Sequence, residues 1–191
     1  RMRFDEKRLK LPIKIPAGSK FELRKEDDNN SLYTIDFVEL ELVPEPVLLE
    51  DIGGDKIAYM GDGSDLDSFI HQHAEKTIYI PAGVYEVPQR IFLSVANTKI
   101  IGAGMWYTEL FFTAPLTAST YAKRGLQGDA SNLYVEGLYL NTVNNIRYFE
   151  RNDAKQVGKG LNGSFGKNSV VKNLWIEHFE CGAWIHNTDN L

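Results

Sequence analysis

A single cysteine, Cys181, stands in 191 residues. An intrachain disulfide and a multi-cysteine metal site are therefore both excluded. The sequence also has no apolar run of the roughly 18 to 20 residues that would cross a bilayer as a helix. Its first residues, Arg1-Met2-Arg3-Phe4-Asp5-Glu6, lack the apolar stretch of a secretory signal. Positive charge is in deficit too: 21 Lys and Arg stand against 26 Asp and Glu, a net charge of -5. Such a field repels nucleic acid and anionic membrane, so the expected partner is neutral. Nothing calls for a cofactor or a metal, and the chain is read as a monomer. What is present is a globular balance, 43% hydrophobic and 25% charged, enough to bury one core or to finish one domain and begin another. Nine Tyr and three Trp supply flat faces that can pack in a core or stack on sugar rings.

Texture changes along the chain. Leu11-Pro12-Ile13-Lys14-Ile15-Pro16 and Lys20-Phe21-Glu22-Leu23-Arg24 alternate apolar and polar residues, Asp27-Asp28-Asn29-Asn30-Ser31 is a turn cluster, and Leu32 to Leu42 reads as a bulged strand. These are expected to be a few antiparallel strands, too few to close a sandwich alone. Residues 1–45 are thus read as a first unit of their own. Pro44-Glu45-Pro46 breaks strand pairing and opens a linker and cap over 46–76. In that cap, Gly61-Asp62-Gly63-Ser64-Asp65 supplies turns and a helix N-cap, and Leu66, Phe69, Ile70 and His73 share one face of a short helix.

Residues 77–191 carry a repeat. Asn97-Thr98-Lys99-Ile100-Ile101-Gly102, Asn132-Leu133-Tyr134-Val135-Glu136-Gly137-Leu138-Tyr139-Leu140 and Ser169-Val170-Val171-Lys172-Asn173-Leu174-Trp175-Ile176 share a polar start, a short apolar strand, Gly or Asn, and a second strand. The spacing from Gly102 to Gly137 and on to Asn173 suits coils of roughly 20 to 30 residues with loop insertions on one side. One coil cannot bury its apolar side, so such units stack. The fold expected is all-β: the first coils of a right-handed parallel β-helix, with the corner Gly or Asn tolerating left-handed backbone. An ordinary antiparallel sandwich has similar short strands, and strand parallelism decides between the two. Met2 follows an arginine, and His186 to Leu191 stop where another strand starts, so a piece of a longer protein is expected.

Tyr79-Ile80-Pro81-Ala82-Gly83-Val84-Tyr85, Thr98 to Thr108 with Gly102-Ala103-Gly104-Met105-Trp106-Tyr107, and Gly163 to Ser169 leading into Trp175-Ile176-Glu177-His178 resemble glycoside hydrolase family 87, the mycodextranases and endo-α-1,3-glucanases. The resemblance covers about residues 75 to 191 and implies a pectin-lyase-like β-helix. Residues 10 to 44 look like the end of a carbohydrate-binding module of family 6 or 35. The implied activity is hydrolysis of an α-1,3-glucan or mixed-linkage α-glucan, a neutral polysaccharide, by aspartate general acid and base. A secreted or cell-surface protein follows from that substrate. The resemblance places the aspartates in Ala-Asp-Gly and Gly-Asp-Asp-Gly turns on later coils; neither motif occurs here, so no catalytic residue is assigned to this chain and the fragment is expected to be silent. A noncatalytic carbohydrate-binding β-helix and a β-helical polysaccharide lyase are the alternatives, the acidic balance counting against the lyase.

Candidate substrate-binding residues are Glu180, Trp184 and His186, in and beyond the turn read at Glu180-Cys181-Gly182-Ala183-Trp184. Trp184 could stack on a glucose ring or fill the core, and His186 could bond a hydroxyl. Glu177 and His178 invite an acid/base role, but a strand position favours packing. Cys181 is read as a small buried hydrophobe. Asp62, Asp65 and Asp67 are spaced like calcium ligands, yet the glycine and terminal glutamate of an EF-hand are missing, so turn and capping roles are expected. Gly158-Lys159-Gly160 and Gly163 to Lys167 are poor phosphate loops. Arg147, Arg151 and Asp153 are read as solvated loop charge.

Overall fold

Parallel strands buried on one face and joined into stacked coils need apolar residues in columns, and the chain supplies them. The structure, a computed structural model, describes residues 12–20, 22, 42–114, 123–143 and 158–185. Two compact units divide the chain, 1–45 and 46–191. In the first, residues 12–16 form no strand despite their alternation, because Pro12 and Pro16 have no amide hydrogen to give a ladder. A turn follows instead, with Ser19 N–H donating to Pro16 O at 3.1 Å and Gly18 at φ 81°. The strands expected over 23–41 lie outside the described residues.

The second unit contains β1 (Lys56–Ala58), α1 (Leu66–Gln72), β2 (Thr77–Ile80), β3 (Gly83–Val87), β4 (Ile91–Leu93), β5 (Lys99–Gly102), β6 (Thr108–Phe112), β7 (Leu126–Gly128), β8 (Tyr134–Thr142), β9 (Lys159–Gly163), β10 (Val170–Ile176) and β11 (Cys181–Ile185). Among the described residues all the strand pairings are parallel, which rules out the antiparallel sandwich. Each coil runs first, second and third strand: β2-β3-β4, then β5-β6-β7. In the next coil β8 serves twice, pairing β5 through Tyr134–Glu136 and β6 through Tyr139–Thr142, before β9. Strand β10 repeats that arrangement on β8 and leads to β11. The result is an all-β unit of parallel sheets, consistent with a β-helix.

Thr77 pairs with Lys99, Lys99 with Tyr134 and Tyr134 with Val170, spacings of 22, 35 and 36 residues. The extra length enters mainly at one corner, between second and third strands, in connections 113–125 and 143–158; the equivalent connections in the neighbouring coils are 88–90 and 177–180. Register survives these insertions because the inward columns do not shift. Ile78, Ile100 and Val135 form one column, and Tyr85, Leu110 and Leu140 form another, all buried. Each fully buried aliphatic side chain contributes about 1.5 to 3 kcal/mol.

Gly102, Gly137 and Asn173 stack at the first corner, as their spacing in the sequence implied. Gly137 and Asn173 have φ of 70° and 53°. Gly102 obeys a different constraint: it ends β5 without a positive φ, but a Cβ there would lie 2.3 Å from Gly137 O. At the corner before β5, β8 and β10, Asn97, Asn132 and Asn168 have φ of 68°, 57° and 61°, and Asn168 Nδ2 donates to Asn132 Oδ1 at 3.2 Å. The polar start of each repeat is thus an asparagine at a left-handed corner.

Helix α1 buries Leu66 and Ile70, and Phe69 packs edge-on to Tyr59 at 5.1 Å. Asp65 occupies the N-cap position, but its carboxylate does not cap; it accepts from Tyr59 OH at 2.5 Å. The phenol competes successfully because it is buried beside that carboxylate. Asp62 accepts from Ser64 N–H at 2.9 Å and from its hydroxyl at 2.6 Å, bonds that hold its carboxyl below the ordinary range. Asp67 accepts from Phe92 N–H at 2.7 Å and so ties α1 to β4. None of the three aspartates faces a common centre with the others in the way calcium would need. Upstream, Val47 N–H donates to Ala103 O at 2.9 Å and Tyr79 OH to Val47 O at 2.7 Å, laying the segment around Ile52 over the outer side of the first strands.

Gly102→Ala is expected to cost about 3 kcal/mol or more, since backbone must move, whereas Gly182→Ala, with open space around it, should stay within about 0.5 kcal/mol; urea unfolding compares them. Burial and the Asp65 carboxylate push the Tyr59 hydroxyl up from 10.0 to about 12. The folded state keeps that proton where the unfolded chain releases it, so the associated stability is complete below pH 10 and is lost as pH rises toward 12. Tyr59→Phe should lower stability at pH 7 by about 1 to 2 kcal/mol and flatten the alkaline decline in unfolding midpoints.

Candidate functional site

Along β11 the side chains alternate, and Ile185 packs against the core, so Trp184 points outward with 56% of its surface exposed. Packing in the core is thereby excluded for Trp184. Its register partners continue the outward column: Asn162 on β9, Gln127 on β7 and Phe92 on β4, the last 40% exposed. Neighbours knit the column together. Asn162 Nδ2 donates to Gln127 Oε1 at 3.4 Å, Gln127 Nε2 donates to Asp129 Oδ2 at 2.8 Å, and the Arg90 guanidinium donates to Gln127 Oε1 while lying 5.7 Å from the Phe92 ring centre. Burial holds the Arg90 guanidinium below its ordinary range, against the pull of Asp129. Lys159 Nζ sits 4.2 Å from the Trp184 ring centre, a cation against an aromatic face. The column offers aromatic faces at its ends and amides between them, the combination that suits neutral, hydroxyl-rich ligands.

A second outward group lies on the second strands, beside the corner from which the insertions leave. Glu109 pairs with Tyr139, and Tyr139 with Trp175; Phe111 pairs with Asn141. Asn141 Nδ2 donates to Glu109 Oε1 at 2.7 Å, and Asn141 Oδ1 receives Thr142 N–H at 2.8 Å and His178 Nδ1 at 2.6 Å. Tyr139 OH donates to Glu177 Oε2 at 2.7 Å, and the Tyr139 and Trp175 rings meet edge-on at 6.1 Å.

These positions revise several sequence readings. Glu177 and His178 are not on a strand: β10 ends at Ile176, and His178 turns the corner with φ 62°. Glu180 is exposed at the end of that corner, but Cys181 to Ile185 form a strand and no turn. The corner is short, with Phe179 packing inward toward Phe112 at 6.0 Å, so the strand resumes sooner than the residue pattern suggests. Glu180 therefore borders that corner and Trp184 lies near the far end of β11, while His186, like Arg147, Arg151 and Asp153, lies outside the described residues. Cys181 is half-buried, its Sγ 3.2 Å from Ala183 O, and so is no core hydrophobe. Lys159–Gly163 is strand β9, which leaves no phosphate loop there. Among the described residues no three His, Cys, Asp or Glu side chains converge as metal ligands, and no helix is long and apolar enough to cross a membrane.

Glu109 and Asn141 escaped sequence reading for a geometric reason. Tyr139 and Trp175 follow their corner residues Gly137 and Asn173 closely, whereas Ala103 to Tyr107 intervene between Gly102 and β6. That longer corner hides Glu109 from any alignment on the glycines.

Residues 50–190 match the family described as the alpha-1,3-glucanase catalytic domain D2. The chain belongs to that family. Among solved structures, the crystal structure of the Agl-KA catalytic domain is similar at 28% identity and a TM-score of 0.56, covering 73% of this chain and 26% of that one. The catalytic domain of a GH87 alpha-1,3-glucanase in complex with nigerose is similar at 25% identity and a TM-score of 0.51, covering 77% of this chain and 25% of that one. This α-1,3-glucanase family member thus spans about a quarter of the length of each. No curated protein matches. The assignment to glycoside hydrolase family 87 made on the sequence holds, and its motifs have structural meaning here. Ile80-Pro81-Ala82-Gly83-Val84-Tyr85 is the corner from β2 to β3, closed by Tyr85 OH donating to Pro81 O at 3.1 Å. Trp175-Ile176-Glu177-His178 is the end of β10 and its corner.

Trp184→Ala is expected to change unfolding free energy by about 1 kcal/mol or less. Phe165→Ala removes a fully buried ring lying over Gly128 and should cost about 3 to 5 kcal/mol; urea denaturation of both variants checks the contrast.

Proposed function

We propose that this chain is the opening part of a right-handed, pectin-lyase-like parallel β-helix whose complete form hydrolyses α-1,3-glucosidic links of an α-glucan, mixed-linkage glucan included. The family match over 50–190 carries the reading. The nigerose bound by the second similar structure agrees with a polysaccharide substrate. Hydrolysis of a glycosidic bond needs one carboxylic acid to protonate the leaving oxygen and a carboxylate to activate water or attack. We assign both roles to aspartates beyond Leu191, because the two turn motifs expected to hold them do not occur in this sequence.

Within the chain, the outward column from Phe92 to Trp184 is the substrate-facing surface in this reading. Trp184 offers an exposed ring to one face of a sugar. The Gln127 and Asn162 amides can each both donate to and accept from hydroxyls. Strand spacing carries the column along the stack in steps of about 4.8 Å, so an extended glucan lying along it meets successive coils. Glu180 borders this surface. The remaining parts of the proposal are that residues 1–45 end a carbohydrate-binding module, that the protein is a secreted or cell-surface monomer, and that it recognises neither nucleic acid nor membrane.

Incubated with insoluble α-1,3-glucan, the chain is expected to be retained in the pellet and to release no reducing sugar. Sugar release would show that the acids are present after all; absence of retention would remove the binding role of the column.

A further inference from the structure

The outward group on the second strands has a directionality that its bonds impose. Thr142 N–H can only donate, so the Asn141 atom that receives it is Oδ1. Asn141 Nδ2 is then the atom 2.7 Å from Glu109 Oε1, and a carboxylate accepts it. The imidazole atom 2.6 Å from Asn141 Oδ1, His178 Nδ1, must therefore carry a proton. In the neutral ring this leaves Nε2 bare, as a hydrogen-bond acceptor.

Two further observations make the arrangement more than a packing contact. Glu109 is only 8% exposed and sits at the inner end of the chain of bonds, while His178 is exposed at the outer end. His178 also holds φ 62° at the corner, a conformation uncommon outside glycine, and this backbone turns its side chain back onto Asn141 one coil below. The carboxylate fixes the amide, the amide fixes the imidazole, and the half-buried Tyr139 and Trp175 rings flank them on the same strip.

We infer that Glu109, Asn141 and His178 form a positioning relay that locks His178 in its Nδ1–H tautomer and presents Nε2 to a hydroxyl of a neutral glucan, at the corner from which both insertions leave. The ligand class rests on the function proposed above; the relay does not. An acceptor aimed at a hydroxyl discriminates through hydrogen-bond direction, since a bare nitrogen takes a donor and rejects another acceptor. The relay is a binding element.

Long-range proton–nitrogen NMR correlation on the full 191-residue chain reads the tautomer directly. The expected result is Nδ1–H for His178 in the parent and in Glu109→Gln, which keeps an acceptor for Asn141, and a mixture or Nε2–H in Asn141→Leu and Glu109→Leu. Backbone spectra of the same samples report whether each variant is folded, and the parent tautomer alone decides the relay if neither leucine variant is. Nε2–H in the folded parent overturns the relay. Titration with an α-1,3-linked gluco-oligosaccharide should then shift the His178 Nε2 resonance, and His178→Ala should weaken binding about three- to tenfold. Equal affinity of parent and His178→Ala overturns the inference while leaving the proposed function standing. Failure of the parent itself to bind overturns the glucan as ligand of this chain, while the tautomer measurement still decides the relay.

Discussion

Every feature of the second unit depends on one requirement: each coil must lie directly on the next, one parallel-strand spacing away, with its columns in register. Backbone amides and carbonyls of one coil are satisfied by its neighbours, including at the corners, where Tyr134 N–H reaches Thr98 O at 2.9 Å and Val170 N–H reaches Leu133 O at 2.7 Å. That closeness sets the residue types at the turns. Where two coils approach at Gly102 and Gly137, no side chain fits between them; where the backbone turns left-handed, glycine or asparagine stands, His178 excepted. Burial then follows, since only stacked coils enclose the columns of Ile78, Ile100 and Val135.

Because the constraint repeats, much of the scaffold could be read without coordinates. Gly102, Gly137 and Asn173 align in the sequence and share one column in space, and the face read for α1 from Leu66, Phe69 and Ile70 packs against the core. What was lost was the beginning and end of individual strands. A strand of three residues such as β4 or β7 has too little alternation to mark its own ends. The residue pattern puts Glu177 and His178 on a strand and Cys181 to Trp184 in a turn, a shift of a few residues at one tight corner.

The candidate surfaces were harder still, because they are made across coils. Trp184 stood out alone in the sequence, but its partners Asn162, Gln127 and Phe92 are distant along the chain and become neighbours only through register. The same holds for Glu109 and His178, which are joined through Asn141. Long-range hydrogen bonds between single side chains leave no periodic trace. The capping reading of Asp65 failed for a related reason: a tyrosine six residues earlier in sequence, brought close by the fold, takes the carboxylate first.

The corner between second and third strands combines a fixed frame with a variable connection. Its ends are held by β6 and β7, or by β8 and β9, whatever number of residues passes between them. Closing a flexible connection twice as long costs only about 0.6 kcal/mol more, a small charge against the burial that the stack secures. The family scaffold can therefore change the reach and chemistry of its surface by insertion and deletion at this corner without re-solving the core. For a designer, 113–125 and 143–158 are the segments to exchange between homologous chains, and the columns beneath them are the part to leave alone.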